Sequence, residues 1–189
     1  MALRLNIIVG STRPGRQGIK VADWFHGVAV DHGKFEPVVI DIADFNLPVF
    51  DEPRHPRLRQ YEHAHTRAWS EAIEAADAFV FVTPEYNHFA PPALVNALAF
   101  LSQEWQYKPV AMVSYAGLSG GYRAQEAAIP LFTALRMMPI PEGVGIALFT
   151  QHMGENGAFN PPEQTTKASK AMLDELLRWA EALKPMRAG

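Results

Sequence analysis

Two polar loops hold the residues of this chain whose types and spacing could do chemistry. The first, Gly10–Gly18, reads Gly-Ser-Thr-Arg-Pro-Gly-Arg-Gln-Gly and follows a short apolar run. The second, Thr83–Asn87, reads Thr-Pro-Glu-Tyr-Asn and follows the apolar run Ala78–Val82. Ligands of open α/β sheets collect at the carboxyl ends of strands. Both loops are therefore candidates for one shared ligand site.

The first loop is predicted to bind an anion. A loop that leads from a strand into a helix presents unpaired N–H groups, and the helix dipole there favours a phosphate. Ser11 adds a hydroxyl, and Arg13 and Arg16 add charge-assisted donors. A P-loop needs Lys and Ser/Thr where this chain has Arg16-Gln17, which argues against an NTPase. A dinucleotide fingerprint needs glycine at position 12, which is Thr. A solvated Gly/Pro turn remains the alternative.

The second loop offers a different chemistry. It places a carboxylate, a phenol and a carboxamide behind a proline-initiated turn, which suits a flat polar ring. An anion loop and a ring-binding loop at neighbouring strand tips together suggest flavin mononucleotide (FMN).

Three motifs together resemble those of the NADPH-dependent FMN reductase family. They are Gly10–Arg13, Pro84–Asn87 with the Pro/Leu/Asn-containing helix after it, and Ser114–Ala124. The resemblance runs from about residue 4 to about residue 150. It implies a flavodoxin-like fold, bound FMN, and assembly as a homodimer or homotetramer in which the partner walls the flavin.

The resemblance also assigns site residues by position. The residues implied to hold the FMN phosphate are Ser11, Arg13, Arg16, Gln17 and Gly18. The residues implied to line the ribityl chain and the ring edge are Pro84, Glu85, Tyr86 and Asn87. Those implied to lie at the pyrimidine side of the ring are Ser114 and Gly117. Hydride transfer from nicotinamide to flavin requires no side-chain acid or base, so no catalytic residue is named.

The implied function is that of an FMN-dependent NAD(P)H oxidoreductase. It would pass hydride from NADPH or NADH through bound FMN to an acceptor such as a quinone, free flavin, azo compound or metal oxyanion, by a ping-pong mechanism. Two alternatives remain open: a flavodoxin-like electron carrier without NAD(P)H turnover, and a nucleotide-binding or regulatory module without flavin. A carrier should be more acidic than the formal net charge of −3.

The chain departs from the family pattern at four positions. Val95 stands where Lys is frequent, Ala99 where an acidic residue is frequent, Ala116 where Gly is frequent and Ile129 where Arg is frequent. None of these changes removes an implied phosphate ligand. They bear on ion pairs around the site, on subunit contacts and on substrate range.

Strands alternating with helices must position these loops. Apolar runs predict strands over Leu5–Val9, Phe35–Ile42, Ala78–Val82, Pro109–Tyr115 and Gly145–Phe149. Helical spacing predicts helices over Gly15–His32, Leu58–Ala76, Pro91–Leu101, Gly120–Met137 and Thr165–Leu183. This alternation indicates a parallel sheet covered on both sides. We expect a single flavodoxin-like α/β domain, 1–189, a three-layer sandwich with a five-stranded sheet of order 2-1-3-4-5.

Bulk composition excludes several classes of protein. The chain of 189 residues is 48% apolar and 20% charged, as expected of a globular domain. Its net charge of −3 argues against a general nucleic-acid binder. It has no cysteine for disulfides or thiolate chemistry and no apolar run that could cross a bilayer. We expect a cytoplasmic protein without a signal peptide or membrane insertion.

Histidine and aromatic residues give two further expectations. His63 and His65 are two apart, so on a helix they should point to different sides, and no metal site is predicted. The aromatic and apolar stretches Phe89–Pro92 and Phe100–Trp105 suit a wall against a partner subunit.

Overall fold

A parallel sheet forms the centre of the chain. The computed structural model describes residues 2–155 and 157–187, so positions 1, 156, 188 and 189 of the predicted domain lie outside the described residues. The strands are β1 (Leu3–Val9), β2 (Phe35–Asp41), β3 (Ala78–Pro84), β4 (Pro109–Tyr115), β5 (Met138–Pro139) and β6 (Val144–Ile146). They follow the order β2-β1-β3-β4-β5, and β6 also pairs with β4. The predicted flavodoxin-like order 2-1-3-4-5 is confirmed.

Helices cover both faces of the sheet. They are α1 (Gly18–His32), α2 (Ala64–Glu74), α3 (Pro92–Ala99), α4 (Tyr122–Ala134) and α5 (Glu163–Leu183). Alternate residues of the strands pack against α1 and α5 on one face and against α2, α3 and α4 on the other. The central strands β1, β3 and β4 are almost entirely buried, whereas the edge strand β2 is half-buried. Two apolar cores therefore hold the loops at the carboxyl edge.

The predicted fifth strand, Gly145–Phe149, is corrected to two shorter pieces. β5 pairs with Pro109 and Val110 at the start of β4, and β6 pairs with Val113–Tyr115 at its end. Prolines 139 and 141 lack the N–H donors that a continuous ladder needs, which accounts for the break. Phe149 instead begins a 3-10 turn, Phe149–His152.

The stretch Phe100–Trp105, which was expected to form part of a wall against a partner subunit, belongs largely to the interior, so this part of the expectation was wrong. Phe100 and Trp105 are fully buried. The 3-10 turn Gln103–Trp105 folds back under α2, where the Trp105 ring lies 5.9 Å from that of Trp69. No described helix is both long enough and apolar enough to cross a membrane.

Candidate functional site

The Gly10–Gly18 loop connects β1 to α1. The Gly10 N–H continues the sheet by donating to Val82 O at 2.9 Å. Pro14 and Gly15 then form the centre of a β-turn that Arg16 N closes on Arg13 O at 3.2 Å. Gly15 has a φ of +73°, the value that the second central position of a type II turn requires. The turn delivers the chain to the N-terminus of α1 beside β3.

Gly18, the first residue of α1, lies against two buried hydroxyls. A Cβ on Gly18 would stand 2.5 Å from Ser11 Oγ and 2.7 Å from Tyr115 Oη. The two hydroxyls lie 3.4 Å apart, and Ser11 is fully buried. Only glycine leaves room for this approach. The first turn of α1, which carries no acidic residue, therefore meets two hydroxyl groups at one point.

Tyr115 ends β4 and was not among the predicted site residues. Its ring packs edge-on against Phe149 with centroids 5.0 Å apart. Burial raises the pKa of the Tyr115 phenol to about 12. The hydroxyl therefore stays protonated and able to donate at neutral pH. Its position at the tip of a central strand was the signal that could have identified it.

Arg16 is held from the tip of β2. Its Nη2 forms an ion pair with Asp41 Oδ2, while Asp41 Oδ1 accepts from Ala43 N at 3.0 Å. The Nε atom of Arg16 is buried and has no hydrogen-bond partner among the described residues. Buried polar groups in folded proteins are normally hydrogen-bonded, so this free N–H points to a ligand acceptor.

Arg13 spans the two polar loops. Its guanidinium carbon lies 5.4 Å from the centroid of the Tyr86 ring, within the range of a cation–π contact. Gln17 stays within its own loop, since its Nε2 donates to Gly15 O at 2.9 Å. The anion loop and the Thr83–Asn87 loop are therefore in direct contact.

Glu85 is fixed by α4 and the loop before it. Its Oε1 accepts from Ser119 Oγ at 3.0 Å and from Arg123 Nη1 at 3.3 Å. Burial pushes the pKa of Glu85 upward, but the hydrogen bonds from Ser119 and Arg123 outweigh it, and the pKa lies below its ordinary value. Oε2 is buried without a partner in the described part of the chain. The carboxylate is thus ionised, with one acceptor to spare.

A tight turn follows Tyr86. Tyr86 N donates to Phe89 O at 2.8 Å, and Phe89 N donates to Tyr86 O at 2.9 Å. Between them Asn87 and His88 both have positive φ, 51° and 65°. Two consecutive positive φ values define a type I′ turn, which Asn tolerates better than His. The turn projects Asn87 and His88 into solvent and leaves Tyr86 facing the anion loop.

The two loops enclose a cleft of about 270 Å³. It is lined by seven of the predicted residues and by three more, namely Arg13, Arg16, Gln17, Pro84, Glu85, Tyr86 and Gly117 with Tyr115, Ala116 and Phe149. Ser11 and Gly18 lie directly behind this lining. Phe149, on a separate turn, had no sequence signal.

Ser114 and Asn87 lie outside the lining of the cleft. Ser114 Oγ donates to Gly120 O at 2.8 Å and accepts from Gln125 Nε2 at 2.7 Å, so its side chain ties β4 to α4. Asn87 borders a second cavity on the other side of Tyr86.

That second cavity, the apolar groove, has a volume of about 860 Å³. It is lined by Leu47, Pro48, Val49, Tyr86, Asn87, Phe89, Ala90, Pro92, Ala93, Val95, Asn96 and Ala99. Asn96 holds its rim, because its Nδ2 donates to Pro48 O at 2.6 Å and its Oδ1 accepts from Phe50 N at 2.9 Å. Val95 and Ala99, two of the departures from the family pattern, face this groove.

The histidine expectation was wrong in its geometry. The rings of His63 and His65 stack with centroids 5.1 Å apart, and their Nε2 atoms lie 3.7 Å and 3.1 Å from the Asp51 carboxylate. His63 precedes α2 with extended backbone, φ −98° and ψ 142°, so helical spacing does not apply to the pair. Within the described residues, no group of three or more His, Cys, Asp or Glu side chains could hold a metal ion.

The sheet order, a loop with two arginines at the tip of β1 and a cleft between the tips of β3 and β4 are the features of a flavodoxin-like protein. The sequence pattern of the family described as NADPH-dependent FMN reductase matches residues 3–151. The NAD(P)H-dependent FMN reductase ntnL of Nectria sp is 32% identical over 97% of this chain and 96% of its own length. A quinone reductase of Pseudomonas putida is 30% identical over 93% of each chain. The chain therefore belongs to the NADPH-dependent FMN reductase family, a family of oxidoreductases that use FMN and NAD(P)H.

A solved structure supports the fold independently. The FerB flavoenzyme NAD(P)H:(acceptor) oxidoreductase of Paracoccus denitrificans matches with a TM-score of 0.77 over 96% of this chain and 98% of that chain, at 22% identity. At that identity the likeness concerns the fold alone.

The residues present fit FMN on three observations. A buried Arg16 N–H lacks an acceptor among the described residues. Any side chain at position 18 would fill the space between Gly18 and the hydroxyls of Ser11 and Tyr115. The first turn of α1 carries no carboxylate that would repel a phosphate.

Proposed function

We propose that this chain binds FMN in the cleft and passes hydride from NADPH or NADH to an electron acceptor. The guanidinium of Arg16 carries the proposal, because Arg16 lines the cleft beside the α1 N-terminus and its buried Nε–H has no hydrogen-bond partner among the described residues. When bound, the flavin supplies the ability to accept hydride and to pass electrons on.

The phosphate end of the site would be formed by the first loop. The phosphate would be bound by the Arg16 guanidinium, by the Ser11 and Tyr115 hydroxyls and by the first N–H groups of α1, and Gln17 would border it. Arg13 would neutralise charge at the mouth while it stacks on Tyr86. Gly18 would act through its lack of a side chain.

The other end of the site would hold the ribityl chain and the ring. Pro84, Glu85 and Tyr86 come from the tip of β3, and Ala116 and Gly117 from the tip of β4. The free Oε2 of Glu85 can accept a hydrogen bond from a hydroxyl or an imide N–H. In this arrangement Ser114 acts by fixing the loop, and Asn87 acts through its turn conformation.

A quinone is the acceptor class we propose first, ahead of a free flavin, an azo compound or a metal oxyanion. The relative from Pseudomonas putida is a quinone reductase, and the cleft is walled by the aromatic rings of Tyr86, Tyr115 and Phe149. The nicotinamide and the acceptor would both have to reach the same bound flavin, so they would bind in turn. The oxidised nucleotide would leave before the acceptor enters, which gives ping-pong kinetics.

We further propose that the single domain acts in the cytoplasm as a homodimer or homotetramer. The outward residues of α3, at Pro92, Val95 and Ala99, are uncharged and line the apolar groove. Apolar surface of this kind commonly marks an interface between proteins. A second copy covering the groove would reach Tyr86, and so would wall the flavin cleft from the side.

Absorption spectroscopy tests the proposed function. The protein is incubated with FMN, desalted, and then mixed with NADPH or NADH without oxygen. The proposal predicts a flavin band that stays with the protein and bleaches with the nucleotide, and initial rates with a quinone that give parallel double-reciprocal lines. A flavin band that NADPH and NADH leave unchanged would indicate a flavodoxin-like electron carrier. Titrated FMN that shows no binding would overturn the proposal.

A further inference from the structure

Asp41 lies behind the flavin cleft and does not line it. The residue ends β2, the edge strand, and its side chain is 11% exposed. One carboxylate oxygen accepts from Ala43 N at 3.0 Å, and the other pairs with Arg16 Nη2. Asp41 lies outside the three sequence motifs that resemble those of the family. The hydrogen bond from Ala43 N thus fixes the carboxylate that pairs with Arg16.

This fixed carboxylate determines where the Arg16 guanidinium lies. An arginine side chain has four rotatable torsions and loses their freedom when it is fixed. With Nη2 held by Asp41, the planar guanidinium has a fixed place in the lining of the cleft, and its buried Nε has no hydrogen-bond partner among the described residues. The cationic group that the proposed phosphate site needs is therefore positioned before any ligand arrives.

We propose that Asp41 is a positioning residue for phosphate recognition, acting through Arg16. This inference rests on the proposed function, since it concerns the phosphate of bound FMN. Asp41 makes no contact with that phosphate; it fixes the angle of the guanidinium.

Positioning of Arg16 and simple charge repulsion predict opposite changes in FMN affinity when the Asp41 charge is removed. A carboxylate near the phosphate repels it, so removing the Asp41 charge should strengthen FMN binding if charge alone matters. If Asp41 orients Arg16, the same change should weaken binding. Riboflavin, which lacks the phosphate, should be unaffected.

The test is the Asp41→Asn variant, measured by fluorescence titration with FMN and with riboflavin. Asn keeps the size of the side chain and an oxygen that can accept from Ala43 N. We expect FMN to bind roughly tenfold more weakly while the riboflavin affinity stays within about twofold. Asp44→Asn is the matched control, because Asp44 is exposed on the same turn and loses the same charge. Its two affinities should equal those of the wild type.

A double-mutant cycle separates positioning from a general disturbance. In the Arg16→Ala background, Asp41→Asn should have no further effect on FMN binding. FMN affinity that is unchanged or higher in Asp41→Asn overturns the inference, as does an equal loss for riboflavin or a full effect without Arg16. If Asp41→Asn does not fold, Asp41→Glu, with a displaced carboxylate, should show a smaller loss confined to FMN. A wild-type protein that binds neither flavin overturns the proposed function and this inference together.

Discussion

Two cavities lie on opposite sides of Tyr86, and they are built in different ways. The cleft, of about 270 Å³, is lined by two arginines, a glutamate and two tyrosines, each charged group having a fixed neighbour. The apolar groove, of about 860 Å³, has no charged residue among the described residues that line it. A small cleft with positioned polar groups suits one particular ligand, whereas a wide uncharged surface suits burial of another surface.

The contrast extends to how each cavity is held. Three pairs organise the cleft, namely the buried pair Ser11–Tyr115 and the partly buried pairs Arg16–Asp41 and Glu85–Ser119. The groove depends on the amide of Asn96, which clamps the segment from Pro48 to Phe50. Changes in the cleft should therefore alter flavin binding, and changes in the groove should alter assembly and stability.

Gly18→Ala should give the largest effect on the cleft. The added Cβ would lie 2.5 Å from Ser11 Oγ and 2.7 Å from Tyr115 Oη, so both hydroxyls must move. We expect FMN affinity to fall on the order of a hundredfold and the free energy of unfolding to fall by about 1–3 kcal/mol. Fluorescence titration and urea unfolding measure the two changes.

Gly27→Ala is the matched control in the same helix. A Cβ on Gly27 meets nothing within 4 Å, so the exchange should stabilise the helix by roughly 0.5–1 kcal/mol and leave FMN binding unchanged. Equal FMN affinity for the two alanine variants would show that FMN binding does not depend on the absence of a side chain at Gly18.

Arg13→Ala should come next. This variant loses one positive charge at the mouth of the cleft and the contact with Tyr86. FMN binding should weaken by roughly 1.5–3 kcal/mol, the range for a hydrogen bond to a charged group. Isothermal titration calorimetry measures it, and an unchanged affinity would remove Arg13 from the site.

Val95→Asp tests the groove against the cleft. An aspartate on the outward face of α3 would place an unpaired charge in a surface that we propose is covered by a second copy. The dissociation constant of the dimer should be more than roughly tenfold higher for the variant than for the wild type, while FMN affinity stays the same. Sedimentation velocity supplies the measurement. A wild type that is monomeric throughout would contradict the proposed interface.

Asn96→Ala should have a smaller effect, confined to stability. It removes the two hydrogen bonds that hold the groove rim, which together should lower the free energy of unfolding by about 1–2 kcal/mol. Urea unfolding followed by tryptophan fluorescence reports the change. A large fall in FMN affinity would instead couple the rim to the cleft.

Glu85→Gln should give the smallest effect on the free energy of unfolding, and that effect should depend on pH. Because folding lowers the pKa of Glu85 below its ordinary value of 4.5, the ionised carboxylate stabilises the fold above that pH. This contribution is lost as the pH falls through the lower pKa of the folded state. The wild type should be more stable than the variant at pH 7, and their difference should narrow in acid. Urea unfolding across this pH range would show a constant gap if the carboxylate did not contribute.

Much of the fold and of the site was predictable from the sequence because both depend on local patterns. Apolar runs predicted four of the strands, the flavodoxin-like resemblance implied their order, and seven of the eleven predicted site residues line the cleft. Strand tips are close in space whenever parallel strands are neighbours, so loops distant in the chain could be assigned to one site.

The remainder depends on contacts that no local pattern encodes. The Arg16–Asp41 pair joins residues 25 positions apart, and Phe149 enters the cleft from an irregular turn. Trp105 looked like a surface residue because a short 3-10 turn, rather than a helix, carries it beneath α2. The prediction that His63 and His65 point to different sides failed because His63 precedes the helix and has extended backbone.

A crystal structure of the protein grown with FMN tests the central claim most directly. The account predicts a phosphate within hydrogen-bond distance of the Arg16 guanidinium and the first turn of α1, with the ring between Tyr86 and Gly117. Flavin density in the apolar groove between α3 and Leu47–Val49, with an empty cleft, would contradict it.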